Sequence, residues 1–360
     1  MNRPLKMYLK KLRWAIPFWM FALALLTIFR FYGMRVELET NGLRADLNFS
    51  QGLVLFLLVG FMIGTVNATL DFFFEKYTTK KLPLGLSVLF SSLCYLTSII
   101  LFFSVSVVLL NAFFHLLMEM VYNWWLYDKN FRAIAFYMAF ASLVISFVKI
   151  ANDKFGKGVL LKMLLGKYKE PKEEDRIFMF LDLRSSSTIA EELGHLKYSQ
   201  LIQDCFYDMN EVVPEYDAEI YQYVGDEAVI SWPYKHGLAK NNCIELYFAF
   251  NERLTMKENY YLNRYGITPK FKAGIHGGKL MVAEVGIVKK EIAYHGDVIN
   301  TSARIQSECN RHGVSLLISE YLFEQLSIGQ LYTSRLVGDV LLRGKKKEMR
   351  VFTLQKAYLV

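Results

Sequence analysis

Apolar and polar positions divide the chain into two regimes. From about residue 15 to 150 apolar side chains dominate, in four stretches: Ala15–Tyr32, Leu53–Leu70, Leu84–Leu110 and Ala133–Val148. A helix crosses a bilayer with about 20 predominantly apolar residues, so the pattern predicts a transmembrane bundle of four helices within residues 1–150. The third stretch is over-long, with no formal charge between Lys81 and Glu119. It predicts a tilted span, or one continuing into an interfacial segment around His115 and the indoles of Trp124 and Trp125. The fourth is short and gains length by extension through Phe131 and Ile150.

Beyond residue 175 the period changes. Apolar runs of strand length alternate with stretches of helical spacing. They predict a strand at 176–183, helices over 187–213, a hairpin over 218–232, a helix at 238–264 and a strand at 270–276. A second hairpin (279–294), a helix (298–312) and strands near 314–318 and 331–355 follow. Strand–helix alternation with antiparallel hairpins predicts an α+β domain over 176–360, ferredoxin-like at its core. Residues 151–175 form the junction. Gly156 and Gly158 interrupt the exit from the last span, and Val159, Leu160, Met163 and Leu164 recur at helical spacing among lysines. Such a helix suits the anionic inner leaflet, a paired helix in a dimer, or a packed connector. Gly166, Pro171 and the charge run 169–176 mark the boundary that follows.

Charge placement sets the orientation. The formal net charge is +8, but the basic residues cluster at span ends rather than along a face. Arg3, Lys6, Lys10, Lys11 and Arg13 precede the first apolar stretch; Lys149, Lys154, Lys157, Lys162, Lys167 and Lys169 follow the last. Lys76, Lys80 and Lys81 lie between the second and third. The segments 33–50 and 111–132 carry Glu37, Glu39, Asp46, Glu119 and Asp128. The positive-inside rule then puts both termini and the α+β domain in the cytoplasm of a multi-pass protein of the cell (inner) membrane. No basic stripe interleaves with aromatics in the polar half, which argues against nucleic acid as a partner. Cys94, Cys205, Cys243 and Cys309 show no metal-ligand spacing and read as reduced thiols. Within the spans, Thr65, Asn67, Ser91 and Ser92 suit either interhelical hydrogen bonds or a pocket for an unknown ligand.

The chemistry concentrates in IFMFLDLRSSSTIAEE (177–192) and EIYQYVGDEAVISW (219–232). Asp182 ends an apolar run that reads as a buried central strand. Asp226 follows Gly225 at a hairpin tip, where an aspartate is by default a turn former. If the two strands are neighbours, both carboxylates leave the same sheet edge and can bridge two divalent ions, Mg2+ or Mn2+. The backbone carbonyl of Leu183 is a further candidate ligand. Arg184 to Ser187 opens a helix whose N-terminal amides, those of Ser186 and Ser187 included, suit triphosphate oxygens. A third segment, YHGDVINTSARIQ (294–306), carries Gly296-Asp297, which reads as a turn and N-cap. Asn300 and Arg304 then share one face of the helix that follows.

Together the three segments resemble the catalytic domain of the class III nucleotidyl cyclases, over roughly 176–355. The resemblance implies that Asp182 and Asp226 bind two metal ions. It further implies that Asn300 and Arg304 orient the ribose and stabilise the transition state. In LLRGKKKEM (341–349), Arg343, with Lys345 nearby, matches the family's basic residue for the terminal phosphates. It also implies composite sites in a head-to-tail homodimer, since acids and Asn/Arg pair come from different chains in this family. The base-reading positions depart from the pattern. Gln222 stands where adenylate cyclases carry Lys and guanylate cyclases Glu, and Ala293 stands where adenylate forms carry Asp or Thr. The implied activity is conversion of ATP to cyclic AMP and pyrophosphate at a membrane-anchored homodimer. A guanylate or mixed-substrate cyclase, or a membrane receptor with an inactive cyclase domain, are the alternatives.

Overall fold

The computed structural model describes residues 3–40, 49–77, 86, 89–90, 92–98, 100, 129–156, 159–329, 331–341 and 348–356. The chain divides into two compact units, Met1–Lys154 and Phe155–Val360.

In the first unit α1 (Arg3–Thr40) packs along α2 (Phe49–Tyr77), with α3 (Lys129–Phe155) against them. The approach of α1 and α2 is close because Gly60 and Gly64, one turn apart, present no side chain. A Cβ on either would lie 2.7 Å from a backbone Cα of α1, that of Met20 or Ile16. Small residues at this spacing let helices in lipid meet backbone to backbone. Trp19, Leu23, Ile63 and Met138 fill the seam. Two windows are long and apolar enough to cross a membrane by length and composition, Lys11–Phe29 and Phe56–Phe73. The fourth expected span sits on α3, whose uninterrupted apolar stretch, Ala135–Val148, is shorter, because Arg132 and Lys149 bracket it. The third expected span lies largely outside the described residues, so the described helices support two spans rather than four. Of the polar residues within the apolar stretches, Asn67 accepts a hydrogen bond from Ser98 Oγ at 3.0 Å, and Thr65 donates back to the Phe61 carbonyl.

In the second unit a short helix α4 (Val159–Leu164) precedes a mixed sheet. Strand β1 (Lys172–Leu183) leads to α5 (Ser186–Val212), β2 (Glu219–Val224) and β3 (Glu227–Pro233). Helices α6 (Tyr234–Leu238), α7 (Asn242–Met256) and α8 (Glu258–Tyr265) lead to β4 (Phe271–Val285) and β5 (Glu291–His295). Then come α9 (Asp297–Arg311), β6 (Leu316–Ser319), α10 (Glu320–Phe323), β7 (Tyr332–Val340) and β8 (Met349–Lys356). The strand order is β2-β3-β1-β4-β6-β8-β7, with β5 paired to the far half of β4. Strand alternation sorts the two faces. Ile177, Met179, Leu181 and Leu183 pack towards α5, α7 and α8, whereas Phe178 and Phe180 pack towards α9.

Two elements differ from the expected pattern. The strand at 270–276 and the first arm of the hairpin at 279–294 are one strand of 15 residues, β4. The Gly277-Gly278 pair that reads as a break is extended backbone: the Tyr234 ring lies 2.7 Å from where a Cβ on Gly277 would sit. Residues 279–282 continue the ladder against Lys172–Asp175, which starts β1 four residues before the expected strand at 176. The helix expected over 238–264 is broken at Lys240-Asn241 and again at Lys257. Asn241 is held by reciprocal hydrogen bonds with the backbone of Ser327, at 2.8 and 3.1 Å, and takes a left-handed conformation. At the expected turn before α9, Gly296 is the N-cap and Asp297 the first helical residue.

Candidate active site

The site begins with the pairing of β1 to both its neighbours. Asp182 stands opposite Glu227 of β3 and Lys272 of β4, and cross-strand partners share a sheet face. Lys272 Nζ lies 3.0 Å from Asp182 Oδ2, and Gln306 Nε2 of α9 donates to the same oxygen at 2.9 Å. Gln306 reaches that oxygen because α9 sits directly on β4. A Cβ on Gly274 would lie 2.2 Å from the Gln306 nitrogen and 2.5 Å from its Cα.

Asp226 follows Gly225 in the turn between β2 and β3, and Gly225 has φ 62°. This left-handed conformation suits glycine and re-aims the chain sharply. The Asp226 carboxylate takes a hydrogen bond from the Ser186 side chain, while its Oδ2 is buried with no hydrogen-bond partner. Burial raises the Asp226 pKa and the neighbouring Asp182 adds to this, opposed by Ser186. Glu227 is pushed up to about 7 by burial and then by Asp182 and Asp226, with Lys272 acting the other way. These are the signs of a local excess of negative charge that a cation would relieve. No group of three or more His, Cys, Asp or Glu placed for a metal occurs among the described residues. The donor set is two carboxylates beside a buried oxygen without a partner, which fits a divalent ion that keeps water or phosphate ligands.

A pH prediction follows from Glu227. Its folded pKa is raised, so its contribution to stability is complete below its ordinary value of 4.5 and is lost as pH rises through about 7. With divalent ions chelated, Glu227→Gln should melt at a higher temperature than the parent at pH 8. The gap should correspond to about 1 kcal/mol once partial exposure is allowed for, and it should close by pH 5. An equal gap at both pH values would count against this reading of Glu227.

The remaining site residues are placed as follows. Leu183 is the last residue of β1, and Ser186 and Ser187 are the first two of α5, after Ser185 in a left-handed N-cap conformation. Asn300 is exposed on α9 and Arg304 is half-buried one turn later. No hydrogen bond or ion pair joins either to Asp182 or Asp226; the α9 residue that does so is Gln306. Gln222 is exposed on β2, where a register shift between Ile220 and Gln222 inserts Tyr221 and pairs Gln222 with Val229. Ala293 pairs with Ala283 on the β4–β5 arm. Arg343 and Lys345 lie outside the described residues. Sequence reasoning missed Lys272, Glu227 and Gln306. The signal for two of them was present: Lys272 is a charge inside an apolar strand, and Gln306 is an amide on the buried face of α9.

The sheet delivers two acids to one edge, and helix α9 is seated across it. Residues 168–356 match the family model described as the adenylate and guanylate cyclase catalytic domain, and the chain belongs to that family. It is 33% identical over 210 residues to adenylate cyclase 2 of Rhizobium meliloti (strain 1021), covering 58% of this chain and 58% of that protein. It is 21% identical over 191 residues to the receptor-type guanylate cyclase gcy-19 of Caenorhabditis briggsae, covering 52% of this chain and 16% of the other. The chain thus spans well under two thirds of each of these relatives. A solved structure of a bacterial light-regulated adenylyl cyclase shares the fold, with a TM-score of 0.52 at 16% identity. That match covers 64% of this chain and 67% of the other.

Proposed function

We propose that the chain is a membrane-anchored adenylate cyclase that converts ATP to 3′,5′-cyclic AMP and pyrophosphate at composite sites in a homodimer. The observation that carries this is the meeting of Asp182 with Asp226 beside a buried carboxylate oxygen that lacks a partner. In the reaction the ribose 3′-oxygen bonds to the α-phosphorus, the bond from that phosphorus to the β-phosphate bridge breaks, and pyrophosphate leaves. The 3′-hydroxyl proton passes to a substrate phosphate oxygen. Asp182, Asp226 and the Leu183 carbonyl would hold two ions, Mg2+ or Mn2+. When bound, these supply the charge that neutralises the triphosphate and acidifies the 3′-hydroxyl. The start of α5 at Ser186 and Ser187 offers backbone N–H groups to phosphate oxygens, and Arg343 with Lys345 would hold the terminal phosphates.

Asn300 and Arg304 act on the substrate held by the partner subunit. Supporting this, Asn300 is exposed, Arg304 makes no ion pair among the described residues, and neither is bonded to the acids of its own chain. Their task is to place donors where charge accumulates on phosphate oxygens in the transition state. The first unit is read as a four-span anchor in the cell (inner) membrane, with both termini and the catalytic domain cytoplasmic. It would hold two catalytic domains at high local concentration and is a place for an effector to act.

One observation favours a mixed substrate as the second reading. Gln222 carries both a carbonyl acceptor and an amide donor, so it can accept from adenine's exocyclic amine or donate to guanine's carbonyl. A pocket without a firmly discriminating group separates substrates by roughly 10–200-fold rather than 10⁴. Membranes carrying the full chain should turn over ATP with a divalent ion, with slower, measurable turnover of GTP. Gln222→Glu should move the preference towards GTP and leave metal dependence intact. Loss of neither activity nor preference in that variant would show that other residues read the base. A wild-type chain inert towards both nucleotides in Mg2+ and Mn2+ would overturn the enzymatic reading.

A further inference from the structure

Tyr221 and Tyr294 should not be able to touch in a flat sheet. They belong to β2 and β5, and the ladder between those strands runs β2-β3-β1-β4-β5. Four inter-strand steps at about 4.8 Å each would hold β2 and β5 about 19 Å apart in a flat sheet. Their ring centroids are 4.8 Å apart, and Tyr294 lies 5.2 Å from Phe178 of β1 between them. The long β4 therefore curls its far half, with β5, over the face that carries Phe178, and brings the two outer strands together.

One buried cation joins the ends of this curl. Arg176 of β1 is 2% exposed. Its Nη1 donates to the Tyr294 hydroxyl on β5, its Nη2 pairs with Glu219 on β2, and its guanidinium stacks 4.9 Å from the Tyr294 ring centroid. The residues adjoining the touching rings are Gln222, next to Tyr221, and Ala293, next to Tyr294. The junction helix bears on the same assembly from outside. Lys162 of α4 lies 3.9 Å from Glu219, and the Tyr168 carbonyl just beyond α4 accepts the Glu284 amide of β4 at 2.8 Å. The segment leading from the first unit is thus attached to β2, which Arg176 ties to β5, and to the arm of β4 on which β5 pairs.

We propose that Arg176, Glu219 and Tyr294 are positioning residues that set the spacing of Gln222 and Ala293 around the nucleotide base, and that α4 adjusts this spacing through Lys162. Because Arg176 bonds strand β5 on one side and strand β2 on the other, weakening either bond lets the curl relax and the base pocket widen. Asp182 lies at the far end of β1 from Arg176 and Asp226 in the turn beyond β2, and neither is bonded to Arg176, Glu219 or Tyr294. Base affinity and selectivity should therefore move while the chemical step does not. The proposal rests on the reading of Gln222 and Ala293 as base-facing residues.

The test uses the full chain in detergent or nanodiscs, with a non-cyclisable ATP analogue for binding and ATP and GTP for turnover. Tyr294→Phe keeps the ring and its packing but removes the oxygen that Arg176 binds. It should weaken analogue binding and raise KM for ATP about tenfold, and narrow the ATP-to-GTP preference by a similar factor, with kcat within about threefold of wild type. Lys162→Gln, at a half-buried position, should move KM in the same direction by about two- to threefold with little change in melting temperature, as a long, partly solvated ion pair allows. Gln222→Glu serves as the reference for the base pocket. If Gln222→Glu changes base choice while Tyr294→Phe and Lys162→Gln leave affinity and preference at wild-type values, the positioning role is wrong and the base reading stands. If kcat falls in step with the melting temperature and KM is unmoved, Arg176 and its partners are structural only. If Gln222→Glu alters nothing, the base reading fails and the proposal falls with it.

Discussion

Mixing two inactive variants should restore activity. Asp226→Ala removes a carboxylate from the acid pair, and Arg304→Ala removes the proposed transition-state donor, a class of change that costs roughly 10²–10³ in rate or more. Each variant alone should be inactive at that level. In a homodimer with composite sites, an equal mixture forms heterodimers in which one site lacks both groups and the other has both. With random pairing half of the dimers are heterodimers, so the mixture should recover about a quarter of wild-type activity. Differential affinity tags on the two chains would show that heterodimers are present. A mixture as inactive as its parents, in the presence of demonstrated heterodimers, would rule out sites shared between chains.

The second large effect concerns a position with no side chain. Gly274→Ala should cost about 3–5 kcal/mol, a large part of the 5–15 kcal/mol that typically holds a domain together. The added Cβ would meet backbone atoms of Gln306 at 2.2 and 2.5 Å, and a helix backbone cannot swing aside as a side chain can. The helix must lift from the sheet, carrying Gln306 away from Asp182 and displacing Asn300 and Arg304 with it. Gly278→Ala is the matched control, since its Cβ would meet only a methyl of Val298 at 3.1 Å. Thermal unfolding should separate the two variants by about 5 °C or more; equal melting temperatures would mean that α9 is not seated on β4 as described.

Much of the catalytic unit was legible because its signals are local. The continuous apolar run before Asp182 reads as a strand buried on both faces, and Gly225-Asp226 between two strand-like runs reads as a turn. The break at Asn241 was not legible, because it depends on Ser327, distant in sequence, and tertiary hydrogen bonds there override helical spacing. The length of β4 was hidden for a related reason. Gly277 looks like punctuation, yet the residue is small because Tyr234 leaves no room. Within the site, Asp182 and Asp226 stood out as acids at the ends of apolar runs. Lys272 and Gln306 did not, because their roles appear only once β1, β4 and α9 are placed side by side. In the first unit, the Gly60 and Gly64 spacing was on the page throughout, but its meaning came with the helix that packs against it.

The two donors on Asp182 have a consequence for how any cation would be received. A carboxylate on a loose side chain gives up rotational freedom when it ligates an ion, and that loss subtracts from affinity. Asp182 has already surrendered that freedom during folding, since Lys272 and Gln306, from separate elements, both grip the one oxygen Oδ2. An arriving ion therefore meets a ligand that is pre-aimed but partly neutralised. Its binding is opposed less by side-chain ordering than by the ammonium already there. Affinity at this carboxylate should accordingly answer more to the charge at position 272 than to the flexibility of the strand that carries Asp182.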